Sequence, residues 1–75
     1  MVEAYVLVNS ENGSEKTILE DMRAIPGVLE AQFISGVYDV IVKIKADDMQ
    51  SLKTIMTQKL RKNSLIRSTL NLVII

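Results

Sequence analysis

The fold is decided by the stretch Val2-Glu3-Ala4-Tyr5-Val6-Leu7-Val8 at the start of the chain. Its even-numbered residues, all Val or Ala, alternate onto one face, and Tyr5 and Leu7 lie on the other. Such alternation around β-branched residues predicts a β-strand. Since both faces carry apolar side chains, we expect a strand inside a sheet that is partly buried on both sides.

Two helices and three further strands are predicted outward from this stretch. Turn-forming residues from Asn9 to Ser14 lead into the first helix, which Ser14 or Asn12 is expected to cap with a side-chain oxygen. The second helix is expected to begin at Asp47, with Gln50 completing a capping box. The remaining boundaries are a helix stop at Pro26-Gly27, strands over Val28–Ser35, Val40–Lys45 and Ile66–Ile75, and a second helix stop at Asn63-Ser64.

The resulting order is β-α-β-β-α-β over a single domain, residues 1–75. Two right-handed crossovers interleaved in this way give an α+β, ferredoxin-like fold. We therefore predict a four-stranded antiparallel sheet of strand order 4-1-3-2, with both helices on one face.

The second face of that sheet has no helix to cover it. We expect it to carry an apolar patch made of Tyr5, Leu7, Ile41, Val73 and Ile75, and a shift of one residue in register would expose other apolar residues instead. Burying about 500 Å² of such surface per subunit contributes roughly 12 kcal/mol before association costs. The chain has 75 residues and no cysteine for a disulfide, so a homodimer paired sheet to sheet, an αβ sandwich, is predicted.

Composition excludes several classes of function. Nine basic and nine acidic residues give a formal charge of zero, which argues against direct nucleic-acid binding. Without histidine or cysteine, the usual general base and the usual metal ligands are missing, and Asp47-Asp48 is explained by helix capping. We therefore expect no metal, no cofactor and no catalytic residues. No apolar run is long enough to cross a membrane and no signal peptide is recognisable, so a cytoplasmic protein is expected.

Two short motifs are candidates for a binding site. Gly36-Val37-Tyr38-Asp39 places a carboxylate beside a glycine turn, where it could receive the α-amino group of a small ligand. Taken alone, the tetrapeptide favours a hairpin turn with a packed tyrosine. Arg67, Thr69 and Asn71 alternate onto one face of the last strand and could bind a carboxylate or an amide. Alone, they favour a polar strand edge.

Four segments together resemble the RAM domain, the ligand-sensing half of the Lrp/AsnC transcription regulators. They are Ala4–Asn9, Ile25–Val28, Gly36–Val40 and Arg67–Leu70, in the order and spacing of that domain over essentially the whole chain. The resemblance implies the fold derived above, dimers paired sheet to sheet, and rings of dimers, often octamers. It also implies that small effectors, typically amino acids, bind between dimers.

The resemblance also assigns residues to the effector site. Its Gly-x-Tyr-Asp loop and its last-strand motif imply a site formed by Gly36, Tyr38, Asp39, Arg67, Ser68 and Thr69. Asn71 stands where the family often has threonine, at a position that can touch the effector.

The chain begins at Met1 directly with the first strand, so it resembles the stand-alone RAM proteins, which do not bind DNA themselves. Our leading hypothesis is a non-enzymatic, amino-acid-responsive, oligomeric sensor that co-assembles with full-length Lrp/AsnC regulators. The alternatives are a small dimeric ferredoxin-like enzyme, similar to monooxygenases, and an oligomerisation module without ligand.

Overall fold

The elements follow the predicted order along the chain. The computed structural model describes residues 1–75. Its elements are β1 Val2–Ser10, α1 Glu15–Arg23, β2 Val28–Phe33, β3 Val40–Ala46, α2 Met49–Thr54, a π-helical segment Ile55–Leu60, and β4 Ile66–Ile74. All neighbouring strands are antiparallel, in the order β2-β3-β1-β4. This is the predicted order 4-1-3-2 viewed from the other edge, so the ferredoxin-like fold is confirmed.

The core lies between the sheet and the two helical segments. The predicted inward face of β1 is correct: Ala4, Val6 and Val8 are fully buried. They pair with Ile44, Val42 and Val40 of β3, which are buried as well. The helical side of the core is made of Ile18, Leu19, Met22, Leu52, Met56 and Leu60.

Both helix starts differ in detail from the prediction. Ser14 is the N-cap of α1, but its side chain accepts no hydrogen bond from the helix. The cap of α2 is Asp48 rather than Asp47, because β3 continues to Ala46 and the extended residue directly before the first helical turn is Asp48. The Asp48 Oδ1 atom accepts a hydrogen bond from the Ser51 N–H at 2.7 Å, so the residue three positions after the cap is Ser51, not Gln50.

The second helix was predicted as one continuous element, but its second half is π-helical. Two threonines near this transition bond to the helix backbone: Thr54 Oγ1 donates to the Gln50 carbonyl at 3.0 Å and Thr57 Oγ1 to the Lys53 carbonyl at 2.8 Å. Hydroxyls bonded back to carbonyls in this way often bend helices. Neither helix has the length and apolar character that crossing a membrane requires.

The second strand is shorter and less regular than predicted. It ends at Phe33 rather than Ser35, and its pairing with β3 shifts between Val28 and Glu30. Leu29 is the extra residue at this bulge and is 56% exposed, so it does not join Ala31 in the core. A bulge interrupts the simple alternation on which the prediction depended.

The open face, defined here as the sheet face opposite the helices, carries the expected apolar patch with one correction. Tyr5, Leu7 and Ile41 lie on it, but Val73 and Ile75 do not. Val73 pairs with inward-facing Ala4 and packs against the core, and Ile75 follows the end of β4. The residues of β4 on the open face are Leu70, Leu72 and Ile74, which pair with Leu7, Tyr5 and Glu3.

A charged pair borders this patch on the side of β3. Lys43 Nζ lies 3.5 Å from Glu3 Oε1 and 5.6 Å from the centroid of the Tyr5 ring. Tyr5 and, to a smaller extent, Glu3 raise the pKa of Lys43 above its usual value. The open face therefore combines an apolar patch over β1 and β4 with a charged pair between β1 and β3.

Gly27 is the glycine whose replacement is expected to disturb the packing most. Its φ is +98°, and a Cβ atom there would lie 2.9 Å from Ile55 Cδ1 and 3.1 Å from the Lys45 carbonyl. Gly27→Ala should lower the free energy of unfolding by about 2 kcal/mol or more, measured by urea denaturation at fixed protein concentration. Gly13→Ala is the matched control, with φ +81° and no atom within 4 Å of the added Cβ. Equal losses for the two variants would contradict the predicted contact.

The cap of α2 gives a prediction about pH. Hydrogen bonds from Ser51, first from its backbone N–H and then from its hydroxyl, hold the pKa of Asp48 below its ordinary value of 3.8. Because the pKa of Asp48 is lower in the folded state than in the unfolded state, the cap stabilises the fold fully at any pH above the unfolded-state pKa. This stabilisation is lost as the pH falls through the folded-state pKa.

NMR titration of the Asp48 carboxyl should therefore give a midpoint below 3.8. Ser51→Ala should raise this midpoint only in part, because the backbone N–H remains, while Ser64→Ala should leave it unchanged. A midpoint at or above 3.8 in the wild type would show that the cap does not form in solution.

Candidate functional site

A cleft of about 480 Å³ opens where β1 ends, beside the β2–β3 loop and the start of β4. We call it the strand-end cleft. Its size lies within the usual range of small-molecule sites, roughly 300–1,000 Å³. It is lined by Asn9, Ser10, Asn12, Val37, Asp39, Arg67 and Ser68.

Asp39 is held in place by the end of β1. Its Oδ2 atom accepts two hydrogen bonds from Ser10, one from the N–H at 3.0 Å and one from Oγ at 3.1 Å. Its backbone N–H donates to the Val8 carbonyl at 2.9 Å, and its carbonyl accepts from Ile34 N–H at 2.9 Å. Ser10 is 5% exposed, which makes it the one polar residue among the buried residues of the chain. The carboxylate is thus fixed by a buried partner, and no hydrogen bond occupies its other oxygen.

A bulge brings Arg67 and Ser68 into the same cleft. Asn9 pairs with Ser68 and Ser10 pairs with Ile66, so Arg67 is the unpaired residue between them. Neighbouring residues of a regular strand point to opposite faces, and a bulge is a common way to redirect a side chain near a functional site. The guanidinium of Arg67 is exposed and takes part in no hydrogen bond or ion pair of the structure.

Three of the seven predicted site residues line the cleft, namely Asp39, Arg67 and Ser68. Gly36 and Tyr38 lie in the β2–β3 loop outside its lining. The φ of +147° at Gly36 agrees with the predicted need for glycine at the turn. Tyr38 is half-buried.

Thr69 and Asn71 lie apart from the cleft, on the helix side of the edge strand. They pair with inward-facing Val8 and Val6 of β1. Thr69 Oγ1 accepts a long hydrogen bond of 3.5 Å from Arg61 Nη1, and Asn71 is exposed. The sequence predicts that Arg67 shares a face with these two residues, but the bulge interrupts the alternation and turns Arg67 toward Ser68.

Four lining residues are not among the predicted site residues. The sequence pattern of Asn9, Ser10 and Asn12 predicts only a turn and a helix cap, and that of Val37 only a part of the glycine turn. The predicted strand order already places the end of β1 next to the start of β3, which Asp39 immediately precedes. Ser10 is a polar residue at a position of β1 where the alternation predicts an inward-facing side chain. This was the signal that could have revealed the contact between Ser10 and Asp39.

The strand-end cleft combines one carboxylate and one guanidinium with amides and hydroxyls. Opposite charges in one cleft suit a zwitterion, since an ammonium group can bind Asp39 and a carboxylate can bind Arg67. A second cleft of about 290 Å³ lies along β2. Its one basic side chain, Arg23, already donates two hydrogen bonds to the Ala31 carbonyl and is therefore less available to a ligand. No group of three or more Asp and Glu side chains is placed to hold a metal ion.

Solved structures share this fold over the whole chain. The crystal structure of FFRP-DM1 superposes with a TM-score of 0.96 at 36% identity, covering 100% of both chains. A hypothetical protein from Pyrococcus horikoshii gives 0.95 at 36% identity, over 100% of this chain and 90% of that one. A transcriptional regulator of Neisseria meningitidis, solved in complex with L-Met, gives 0.86 at 14% identity over 99% of this chain and 49% of that one, which shows the fold alone.

Curated relatives are longer proteins. An uncharacterised HTH-type transcriptional regulator of Pyrococcus furiosus is 29% identical over 73 residues, which is 93% of this chain and 49% of the regulator. The chain thus spans about half the length of such relatives. Homocitrate synthase of Sulfurisphaera tokodaii is 33% identical over 75 residues, which is 99% of this chain but only 16% of the enzyme.

The family is established by sequence. The profile of the Lrp/AsnC ligand binding domain matches residues 3–75, which is nearly the entire chain. The FFRP-DM1 structure adds a relative above 30% identity with full coverage on both sides. The chain belongs to the Lrp/AsnC ligand binding domain family.

Proposed function

We propose that the protein is a non-enzymatic sensor of an amino acid, and that it binds this effector in the strand-end cleft. The family is defined by ligand binding, and the Neisseria meningitidis relative was solved with L-Met. The observation that carries the proposal is the presence of Asp39 and Arg67 in one cleft of suitable size.

The two charged groups differ in how they are held, and both are available to a ligand. Asp39 is fixed through Oδ2 by Ser10, which leaves Oδ1 for an α-ammonium group. Arg67 has no partner in the protein and can turn toward an α-carboxylate. Charge-assisted hydrogen bonds of this kind are about twice as strong as neutral ones. A free amino acid satisfies both groups at once.

The resemblance to the RAM domain supports four further residues of the proposed effector site, namely Gly36, Tyr38, Thr69 and Asn71. The strand-end cleft is open to solvent in one subunit. If dimers assemble into a ring, often an octamer in this family, a neighbouring dimer would close the cleft at its rim. Residues outside the lining of a single subunit would then contribute to the same effector site.

A second copy of the chain is the proposed cover of the open face. The patch is contiguous across two strands, because Leu7 pairs with Leu70 and Tyr5 pairs with Leu72. Leu70, Leu72 and Ile74 are 42%, 46% and 46% exposed. A contiguous apolar patch marks an interface, and a chain of 75 residues gains stability from additional buried area. The same face on a second copy is self-complementary about a two-fold axis.

The effector response is proposed to reach transcription through co-assembly with full-length Lrp/AsnC regulators. The relatives named as HTH-type transcriptional regulators support this, since they carry the same domain within a longer chain. A partner of this kind works in the cytoplasm. The homocitrate synthase match gives no reason to assign catalysis, because it covers only 16% of that enzyme.

Isothermal titration calorimetry against the twenty amino acids tests the proposed function. At least one of them should bind at millimolar concentration or below, and Asp39→Asn should weaken its affinity by about tenfold to a hundredfold. The asparagine oxygen can still accept from Ser10, so the fold should survive the change.

Asp47→Asn is the matched control, because it removes the same charge from an exposed residue outside the cleft. No heat with any amino acid would contradict a sensor and favour an oligomerisation module without ligand. Unchanged affinity in Asp39→Asn would remove Asp39 from the site.

A further inference from the structure

The two edges of the sheet differ in how their free backbone groups are used. An edge strand presents unpaired N–H and C=O groups, to which a strand of another chain can add. The edge strands of this sheet are β2 and β4. If both edges accepted a strand, β4 of one copy would pair with β2 of the next. A head-to-tail contact of this kind repeats without limit unless it closes into a ring.

One hydrogen bond shows which residues face the free edge of β2. Lys45 N–H donates at 2.8 Å to the carbonyl of Gly27, the residue before β2. Along an antiparallel strand, successive residues turn their N–H and C=O groups to opposite neighbours. Val42, three residues before Lys45, therefore turns its groups toward β1. Ala31 is the partner of Val42 in β2, so its own N–H and C=O point to the free edge.

The edge of β4 is regular and open beyond its first residues. Val6 of β1 turns its backbone groups to its partner Val42, so Asn71 on its other side points outward. The same alternation turns Thr69 and Val73 outward. No backbone group of these three residues takes part in a hydrogen bond outside the sheet. The last eight residues of the chain also have no charged side chain, so this edge has nothing to repel a strand.

The edge of β2, in contrast, is occupied by the protein itself. Arg23, the last residue of α1, donates from Nε and Nη2 to the Ala31 carbonyl at 3.2 and 2.9 Å. Val28 faces the same edge, and its N–H donates to the Ile25 carbonyl at 3.1 Å. Between these two positions lies the bulge at Leu29, which breaks the regular spacing that an added strand requires.

We infer that Arg23 guards the β2 edge against the addition of β4 from a second copy of this chain. Its guanidinium occupies the carbonyl that an incoming strand would need and places a positive charge where the backbone of that strand would lie. Charged side chains and bulges both protect sheet edges from pairing. With β2 closed, the open edge of β4 cannot build a head-to-tail chain of subunits. The inference concerns the sheet edges and is independent of the effector site.

The way in which Arg23 is bonded supports this role. It forms no ion pair, although the carboxylate-bearing Glu30 lines the same small cleft. Both of its hydrogen bonds go instead to one main-chain oxygen of the edge strand. A carbonyl oxygen has two lone pairs, so two donors fill it and leave no place for the N–H of an added strand.

Arg23→Met tests the inference, because it keeps an unbranched side chain and removes the charge and both donors. The mass measured by light scattering should rise about twofold or more over the wild type at equal concentration, and should grow with concentration. Hydrogen exchange of the Ala31 amide should become slower than in the wild type, since that N–H gains a partner. Lys16→Met is the matched control: it removes an exposed charge from the same helix and should keep the wild-type mass.

A second substitution identifies the strand that adds. Asn71→Lys places a charge on the exposed edge of β4, so combining it with Arg23→Met should return the mass to that of the wild type. Association caused by partial unfolding would not be reversed in this way.

Three results would overturn the inference. They are a wild-type mass for Arg23→Met at every concentration, growth without slower exchange at Ala31, and growth that persists when Asn71→Lys is added.

Discussion

The structure depends on one constraint: two short helical segments can cover only one face of a four-stranded sheet. The central strand β1 is apolar on both faces, so its burial is complete on the helix side and incomplete on the other. Ala4, Val6 and Val8 are fully buried, while Tyr5 and Leu7 are half-buried. The chain has no cysteine for a disulfide that could compensate for the missing cover. The open face is therefore the surface on which association would contribute most stability.

The same strand connects the fold to the proposed site. Inward-facing positions of β1 continue from Val8 to Ser10, where the core ends and a buried hydroxyl takes the place of an aliphatic side chain. That hydroxyl and its backbone N–H fix Asp39 at the start of β3. The bulge opposite Ser10 turns Arg67 toward the cleft. A rigid carboxylate and an unpaired guanidinium thus lie at the edge of the sheet, away from the apolar patch.

The sequence predicted the order and pairing of the elements because alternation in β1 and β3 is clear and turn formers separate the segments. The prediction of which residues of β4 face the helices was wrong. Leu72 to Ile75 are all apolar, so the alternation of polar and apolar residues does not show which of them point inward. The two bulges and the π-helical segment depend on tertiary contacts and backbone hydrogen bonds, which periodicity does not contain. Of the residues that line the strand-end cleft, Asp39, Arg67 and Ser68 were predicted from motif and resemblance. Asn9, Ser10 and Asn12 were missed because they have the composition of an ordinary turn, and only the sheet order shows what they face.

Light scattering after size exclusion tests the central claim that a second copy covers the open face. The wild-type protein should elute with the mass of two or more chains of 8.4 kDa each. Leu70→Lys places a charge in the patch and should lower that mass, while Met49→Lys should not, although the two residues are 42% and 40% exposed. A wild-type mass of 8.4 kDa, or an unchanged mass in Leu70→Lys with a native circular dichroism spectrum, would contradict the account.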